Sequence, residues 1–240
     1  MDRGERASDL MTRWEGINQS RWGRYLSREE ERLVRRASEM SKQTMGPPFT
    51  ALDIGCEGGR WARVLRDEGW SVSATDVDAS SLATCSARLP DVTCILVDAA
   101  DTTLPVQDAS QSLVVCTEVA PVVNSSWFFP EVGRVARIGG LLVLVAWNRR
   151  SARGAVVTAA KQLRGRRDEF YRHSYAELHR GLSNAGFAVV EERGLCWFPF
   201  RRTSDSRLVP VATALERWLG LRRLPGVSPW VLILARRCNG

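Results

Sequence analysis

The chain of 240 residues has no apolar run close to the roughly 20 residues of a membrane-spanning helix; its longest, LLVLVAW at 141–147, is strand-sized. Its first residues, MDRGERASDL, carry no apolar stretch behind their charges, so no secretory leader is expected. Histidine is scarce, with His173 and His179 alone, and the six cysteines (56, 85, 94, 116, 196, 238) lie apart without a CxxC pair. No metal site is expected from such a set, and scattered thiols suit a reducing cytoplasm. Lysine occurs only at Lys42 and Lys161, so nearly all of the 34 basic residues are arginine. Two nucleotide fingerprints are missing as well. Counting a GxGxxG pattern from Gly55 puts Glu57 and Arg60 where glycines belong, and no GK[ST] follows to make a phosphate-binding P-loop. A carboxylate at 57 would repel a pyrophosphate, which argues against a dinucleotide.

Charge is present but unevenly placed. Residues 1–50 hold ten basic against eight acidic residues, 51–147 six against twelve, and 148–240 eighteen against seven. The middle third favours a cationic ligand and the last third an anionic one. The first 45 residues read as helical, with Ser27 and Glu30 as a capping box, and Gly46-Pro47-Pro48 closes that segment. Strands and helices then alternate. Strands are expected at 49–55, 70–76, 92–98, 112–118, 141–147, 187–194 and 230–237, and helices at 60–68, 80–89, 128–137, 154–164 and 174–186. In the last helix Ser174 and Glu177 form a capping box and Gly186 the stop. Continuously apolar strands between helices predict a mostly parallel sheet covered on both faces. The stretch near 194–229, with CWFPF and the helix-like ATALERWLG, is too long for a plain connection and reads as an insertion.

Acids stand at four strand ends, Asp53, Asp76, Asp98 and Glu118. In a parallel sheet, ligands bind beyond the carboxyl ends of the strands. The stretches LDIGCEGGR, SATDVD, VDAADTTLP and EVGRVARIGGLLVLVAWNR resemble those of the class I S-adenosylmethionine-dependent methyltransferases, strongly over 50–147 and loosely over 170–237. The resemblance implies one α/β domain, a Rossmann-like, doubly wound seven-stranded sheet whose last strand is antiparallel. It would comprise an N-terminal helical cap at 1–48, a cofactor-binding core at 49–147 and an acceptor-side half at 148–240. S-adenosylmethionine is the implied cofactor, and its net positive charge suits the acidic middle third. Asp53, Gly55, Cys56 and Gly59 would shape the loop under its methionine part, and Asp76 would accept both ribose hydroxyls, with Val77 against the adenine. Asp98 and the backbone of Ala99 would meet the adenine amino group, with Asp101 as an alternative to Asp98, and Cys116 and Thr117 would line the cleft under the sulfonium. Glu57 replaces the family's usual glycine; it either accepts from the cofactor's ammonium or faces solvent at the helix N-terminus. Gln111-Ser112 stand where the family has a phenylalanine–aspartate pair.

A methyltransferase holds the acceptor atom about 3 to 3.5 Å from the methyl carbon, and a base adds roughly 10² to 10⁴ where a proton must leave. His173, on a loop before a helix, and Glu118 are the candidates, while His179 within that helix reads as packing or surface. The Lys-Asp-Lys-Glu set of RNA ribose methyltransferases and the fourth-strand motifs of base methyltransferases are absent, so nucleic acid is disfavoured. The expected acceptor is a small molecule accepting methyl on oxygen or nitrogen, anionic or sugar- or lipid-linked, held by arginines. CWFPF and ERWLGLRRLPG would form a lid, touch an anionic membrane surface, or pack onto the sheet. Trp14, Trp22 and Tyr25 would cap the cleft. A cofactor-binding protein without turnover and an RNA methyltransferase are the alternatives, and the oligomeric state is open.

Overall fold

The structure is a computed structural model that describes residues 12–238, with only the backbone of Arg13 and Trp14; the expected place of the Trp14 ring lies outside what is described. Seven strands form one sheet: β1 (Thr50–Ile54), β2 (Ser71–Asp76), β3 (Thr93–Leu96), β4 (Gln111–Cys116), β5 (Ala136–Trp147), β6 (Phe187–Leu195) and β7 (Trp230–Arg237). Their order is β3-β2-β1-β4-β5-β7-β6, and β7 runs antiparallel to both its neighbours. This is the expected doubly wound sheet with its antiparallel last strand. The order reverses between β1 and β4, which places a crevice above their carboxyl ends.

Alternation along the central strands feeds two cores. Leu113 and Val115 of β4 and Leu141, Val143 and Val145 of β5 point to one face, where they join α2 (Arg21–Thr44) and α3 (Arg60–Asp67). Val114 and Cys116, with Leu142, Leu144 and Ala146, point to the other. There they meet Phe128 and Val132 of α6 (Phe128–Val135) and Leu178 and Leu182 of α8 (Tyr175–Asn184). Three layers result, as the apolar strands require.

The N-terminal segment differs from expectation. A short helix, α1 (Arg13–Asn18), starts on a Thr12–Glu15 capping box. Its successor α2 runs unbroken over 24 residues from the N-cap Ser20, whose Oγ accepts from Gly23 N at 2.9 Å. Ser27 is therefore interior to the helix, not a cap: a buried stripe from Trp22 to Ser41 repeats every three or four residues straight through it. The C-terminal half of α2 lies on the sheet, and its N-terminal half reaches the crevice.

Helix α6 also stops sooner than the glycines suggest. Strand β5 begins at Ala136 and carries Gly139-Gly140 inside it, absorbed as an irregularity opposite Gln111 to Leu113. Gly139 has a φ of 83°, a conformation that suits glycine. The remaining helices are α4 (Ala79–Arg88), the single-turn α5 (Ala120–Val123), α7 (Ala152–Gln162) and α9 (Val209–Trp218), the last inside the expected insertion. Helix α8 starts on the Ser174–Glu177 capping box that the sequence predicts. Among the described residues no helix is long and apolar enough to cross a membrane.

Candidate functional site

The turn after β1 is built on three left-handed residues, Gly55 (φ 71°), Glu57 (φ 48°) and Gly59 (φ 81°). Gly59 is N-cap to α3, and a Cβ there would sit 2.6 Å from Cys85 Sγ. The loop's N–H groups are directed inward. Gly55 N and Cys56 N both donate to Thr75 O, at 2.8 and 3.0 Å, and Gly59 N donates to Cys56 O at 2.8 Å. At the start of α3, Ala62 N donates to Asp53 Oδ2 at 3.0 Å. Asp53 is fully buried under the loop, and burial pushes its carboxyl up to about 7. The protein's own carboxyl thus occupies the helix N-terminus that a dinucleotide's pyrophosphate would need.

Asp76 closes β2 with both oxygens directed by backbone: Oδ2 accepts from Glu57 N at 2.8 Å and Oδ1 from Asp78 N at 2.9 Å. Each carboxylate oxygen has a second lone pair. The side chain is therefore aimed, with one acceptor position left on each oxygen. Val77 beside it is 57 % exposed, an apolar surface open to a planar ring. After β3, Asp98 and Asp101 close a turn together. Asp98 N donates to Asp101 Oδ2 at 2.9 Å, and Ala100 N donates to Asp98 Oδ1 at 2.8 Å. Asp98, Ala99 and Asp101 are all exposed on this turn.

The expected cleft residue Cys116 and the loop residue Cys56 both turn their side chains inward. Cys116 is fully buried because alternation along β4 sends it into the core beside Val114. Cys56 directs its thiol below the loop to Cys85, which lies 3.5 Å from Cys94. The Cys56 hydrogen bond lowers the Cys85 thiol to about 7. Thr117 does face the loop helix, accepting from Trp61 Nε1 at 2.6 Å.

Glu118 follows in a left-handed conformation (φ 61°) and enters an ionic cluster that sequence reading missed. It is ion-paired with Arg202 of the insertion and hydrogen-bonded to Glu30 of α2. Glu30 receives Arg60 Nη2 at 2.7 Å and has Arg202 Nη1 at 4.0 Å; Arg60 also donates to Ser27 Oγ at 2.9 Å. Two carboxyls in contact share a proton. Burial and the Glu30 charge push Glu118 well above the usual carboxylate range, while two guanidiniums hold Glu30 low against its burial. Glu118 is the protonated member. Arg60 and Arg202 against one ionised carboxylate leave the cluster one positive charge. The sequence marked Glu30 only as a capping-box partner of Ser27, not as a member of a buried ionic cluster.

His173 lies just beyond the end of β5: its carbonyl accepts from Arg149 N at 2.8 Å, and its ring is hydrogen-bonded to the backbone of Val123. Burial lowers its pKa, so the ring is neutral, and Nε2 is buried without a partner. Among the described residues no hydrogen bond joins His173 to Glu118. His179 pairs with Glu192 at 2.9 Å and packs its ring, tilted, against Tyr175, one of the roles expected for it. Around the ends of β5 and β7 stand Trp147, Trp230 and Phe170 in edge contacts, with the Arg202 guanidinium 5.7 Å from the Trp230 ring. Trp22 and Tyr25 are buried against each other, and Trp22 packs on Phe200, so they build the wall rather than an open lid.

Residues 52–144 match a family model described as a methyltransferase domain. A 2-methyl-6-phytyl-1,4-hydroquinone methyltransferase of Synechocystis is 31% identical over 113 residues, covering 46% of this chain and 36% of that protein. An uncharacterized methyltransferase of Mycolicibacterium gilvum is 27% identical over 189 residues, covering 77% of this chain and 73% of its own. The chain thus spans about a third of the first relative and nearly three quarters of the second. The crystal structure of geranyl diphosphate C-methyltransferase from Streptomyces coelicolor, in complex with Mg2+, geranyl diphosphate and S-adenosyl-L-homocysteine, superposes with a TM-score of 0.60. That match has 17% identity and covers 88% of this chain and 80% of that one. Residues 52–144 thus carry a methyltransferase domain, set in a sheet whose strand order and antiparallel last strand are those of the class I S-adenosylmethionine-dependent methyltransferase fold.

Proposed function

We propose that the chain transfers the methyl group of S-adenosylmethionine to an oxygen or nitrogen of a small molecule that pairs an anionic group with an apolar or aromatic body. When bound, the cofactor supplies a sulfonium methyl open to in-line displacement. Asp76 takes the two ribose hydroxyls on its free lone pairs, Val77 packs on the adenine, and Asp98 with the Ala99 backbone reads its amino group. Gly55 and Gly59 shape the loop beside the methionine part, where Glu57 accepts from the ammonium. Thr117 borders the cleft. Arg202 holds the acceptor's anionic group beside Trp230, and His173 Nε2 receives the acceptor's proton.

The orientation of Asp76 carries this reading, because two backbone donors aim its carboxylate before any ligand arrives. A carboxylate so placed selects a diol. The one positive charge of the Glu30–Glu118–Arg60–Arg202 cluster supports an anionic acceptor. So does the diphosphate of the substrate bound by the structurally similar C-methyltransferase. Calorimetry with S-adenosylmethionine, its demethylated product and NAD in parallel tests the cofactor assignment, and binding of NAD alone would overturn it. A panel of carboxylate- and phosphate-bearing acceptors, their neutral analogues and an RNA then tests the acceptor. A second reading, cofactor binding without turnover, is favoured by the proton on Glu118, which leaves that carboxyl no base; tight cofactor binding with no methylated product across the panel would establish it.

A further inference from the structure

The insertion divides into two parts. CWFPF is mostly tucked in: Cys196 is buried, and Trp197, Phe198 and Phe200 are partly so. Helix α9 behaves differently. One stripe, Val209, Ala212, Thr213 and Glu216, is buried against the protein and is held by Tyr25 and Arg222 on the Glu216 carboxylate. A second apolar stripe faces outward. Leu208 is 65 %, Val211 56 % and Trp218 80 % exposed, with Leu215 and Leu219 between them. Spacings of three and four residues put these five side chains within about a third of the helix circumference. Leu224 and Val227, exposed in the turns that follow, extend the patch.

Folding accounts for the first stripe and not for the second. Contiguous exposed apolar surface of this kind marks an interaction site. The charges around it indicate the partner. Arg201, Arg207, Arg217 and Arg223 are all exposed in this segment. Of its two acids, Glu216 is buried and Asp205 is engaged by Arg21 N at 2.9 Å. An aliphatic and tryptophan stripe rimmed by arginines is the composition of a helix that lies in the plane of an anionic lipid surface. A protein groove would leave most of those guanidiniums to find individual partners, whereas a film of lipid phosphates neutralises all of them together.

We propose that α9 and the turns after it dock the protein on an anionic membrane surface. Leu215, Trp218 and Leu219 enter the boundary of headgroups and acyl chains, and Arg207, Arg217 and Arg223 lie against phosphates. The docking face belongs to the insertion that sends Arg202 onto Glu118. It stands independently of the methyl-transfer reading, because its test reads binding alone.

The test is co-sedimentation of the full chain with vesicles of phosphatidylglycerol and phosphatidylcholine, against vesicles of phosphatidylcholine only. Binding is expected to the anionic vesicles, at least tenfold weaker on the zwitterionic ones, and weakened by salt. Leu215→Ser with Trp218→Ser should reduce anionic binding at least tenfold. Arg217→Glu with Arg223→Glu should abolish the lipid preference. Both double variants change exposed side chains only, so unchanged thermal melting and unchanged S-adenosylmethionine binding confirm that they fold. Failure of the wild-type chain to sediment with anionic vesicles overturns the proposal, as does equal binding by the variants. A dimer that the stripe variant dissociates, in a chain that ignores vesicles, assigns the face to a second copy and also overturns it.

Discussion

Glu30 and Glu118 touch, yet replacing each by its neutral isostere should have opposite consequences. Glu118 carries the shared proton, so Glu118→Gln exchanges one neutral donor for another. The amide N–H still reaches Glu30, and the amide oxygen still accepts from Arg202. The expected loss of stability at pH 7 is below about 1 kcal/mol. Glu30→Gln removes the ionised carboxylate that faces Arg60 at 2.7 Å and Arg202 at 4.0 Å from a side chain 1% exposed. Breaking a buried pair on one side costs about 3 to 5 kcal/mol. The low end applies here, because Glu118, released from its acidic neighbour, ionises against Arg202 and restores part of the balance.

Denaturation in urea at constant ionic strength reads both numbers directly, provided the slope with denaturant is the same for all three proteins. An equal cost for the two variants, or Glu118→Gln as the worse, would place the proton on Glu30 and refute the account. Turnover gives a second reading of the same pair. A general base at Glu118 requires a loss of about 10² to 10⁴ in Glu118→Gln, whereas a proton-holding Glu118 leaves methyl transfer within about tenfold.

Three further outcomes follow from the loop. Asp76→Ala removes the acceptor of two backbone N–H groups and, on the proposed function, of the ribose hydroxyls, and should weaken S-adenosylmethionine by about 100-fold or more in calorimetry, since hydrogen bonds to a charged group contribute about 1.5–3 kcal/mol each. Glu57→Gly relieves a left-handed residue (φ 48°) and should stabilise the fold by about 1 kcal/mol, while lowering cofactor affinity at least about tenfold, the effect of one lost charge-assisted contact; an unchanged affinity would remove Glu57 from the site. Burial holds the Asp53 proton up to about 7 in the fold, whereas the unfolded chain releases it near about 3.9. The fold then binds the extra proton between those values, so this carboxyl's contribution is full below about pH 4 and is lost as the pH rises to about 7, by up to about 1.4 kcal/mol per unit. Asp53→Asn should flatten that fall in denaturation midpoints across the window.

The sheet was readable because its signals are local and redundant. Continuous apolar strands, the Gly186 helix stop and the Ser174–Glu177 box each act within a few residues, and the antiparallel last strand was legible through the family resemblance. The start of α2 was not readable, because Ser27-Arg28-Glu29-Glu30 has the form of a cap, and only long-range burial of Trp22, Tyr25 and Leu26 extends the helix upstream of it. The strand-end acids were legible as positions. Their roles were not equally so: that Asp53 turns under the helix and Cys116 into the core depends on which face of the sheet each occupies, and one residue of register decides it. The ionic cluster was invisible. Glu30 sits in the run REEER, whose composition is that of a solvated surface, and Arg202 comes from an insertion with no motif. Their meeting is a tertiary event, and so is the gathering of Cys56, Cys85 and Cys94.

The adjacent pair Glu29 and Glu30 ties the loop after β1 and the 194–229 segment into one unit. Both carboxylates are buried on α2, and they face different neighbours. Glu30 receives Arg60, the first residue of the loop helix α3, and so ties α2 to the cofactor side. Glu29 receives both Arg222 Nη1 and Nη2 at 3.1 Å, a bidentate contact from the turn after α9. Arg222 in turn lies on Tyr25 Oη at 3.1 Å and near Glu216 at 3.5 Å. One turn of α2 therefore holds the start of α3 on one carboxylate and the 194–229 segment on the next. Between them, Arg202 bridges to Glu118 at the end of β4. A buried charge keeps its place only where its partners are fixed, so none of these segments can shift alone without leaving a glutamate or guanidinium uncompensated. On the proposed function, an acceptor anion that draws Arg202 from Glu118 acts on a carboxyl hydrogen-bonded to Glu30, and through Glu30 on Arg60 at the start of α3. Acceptor and cofactor should accordingly bind with mutual influence, carried by side chains in direct contact.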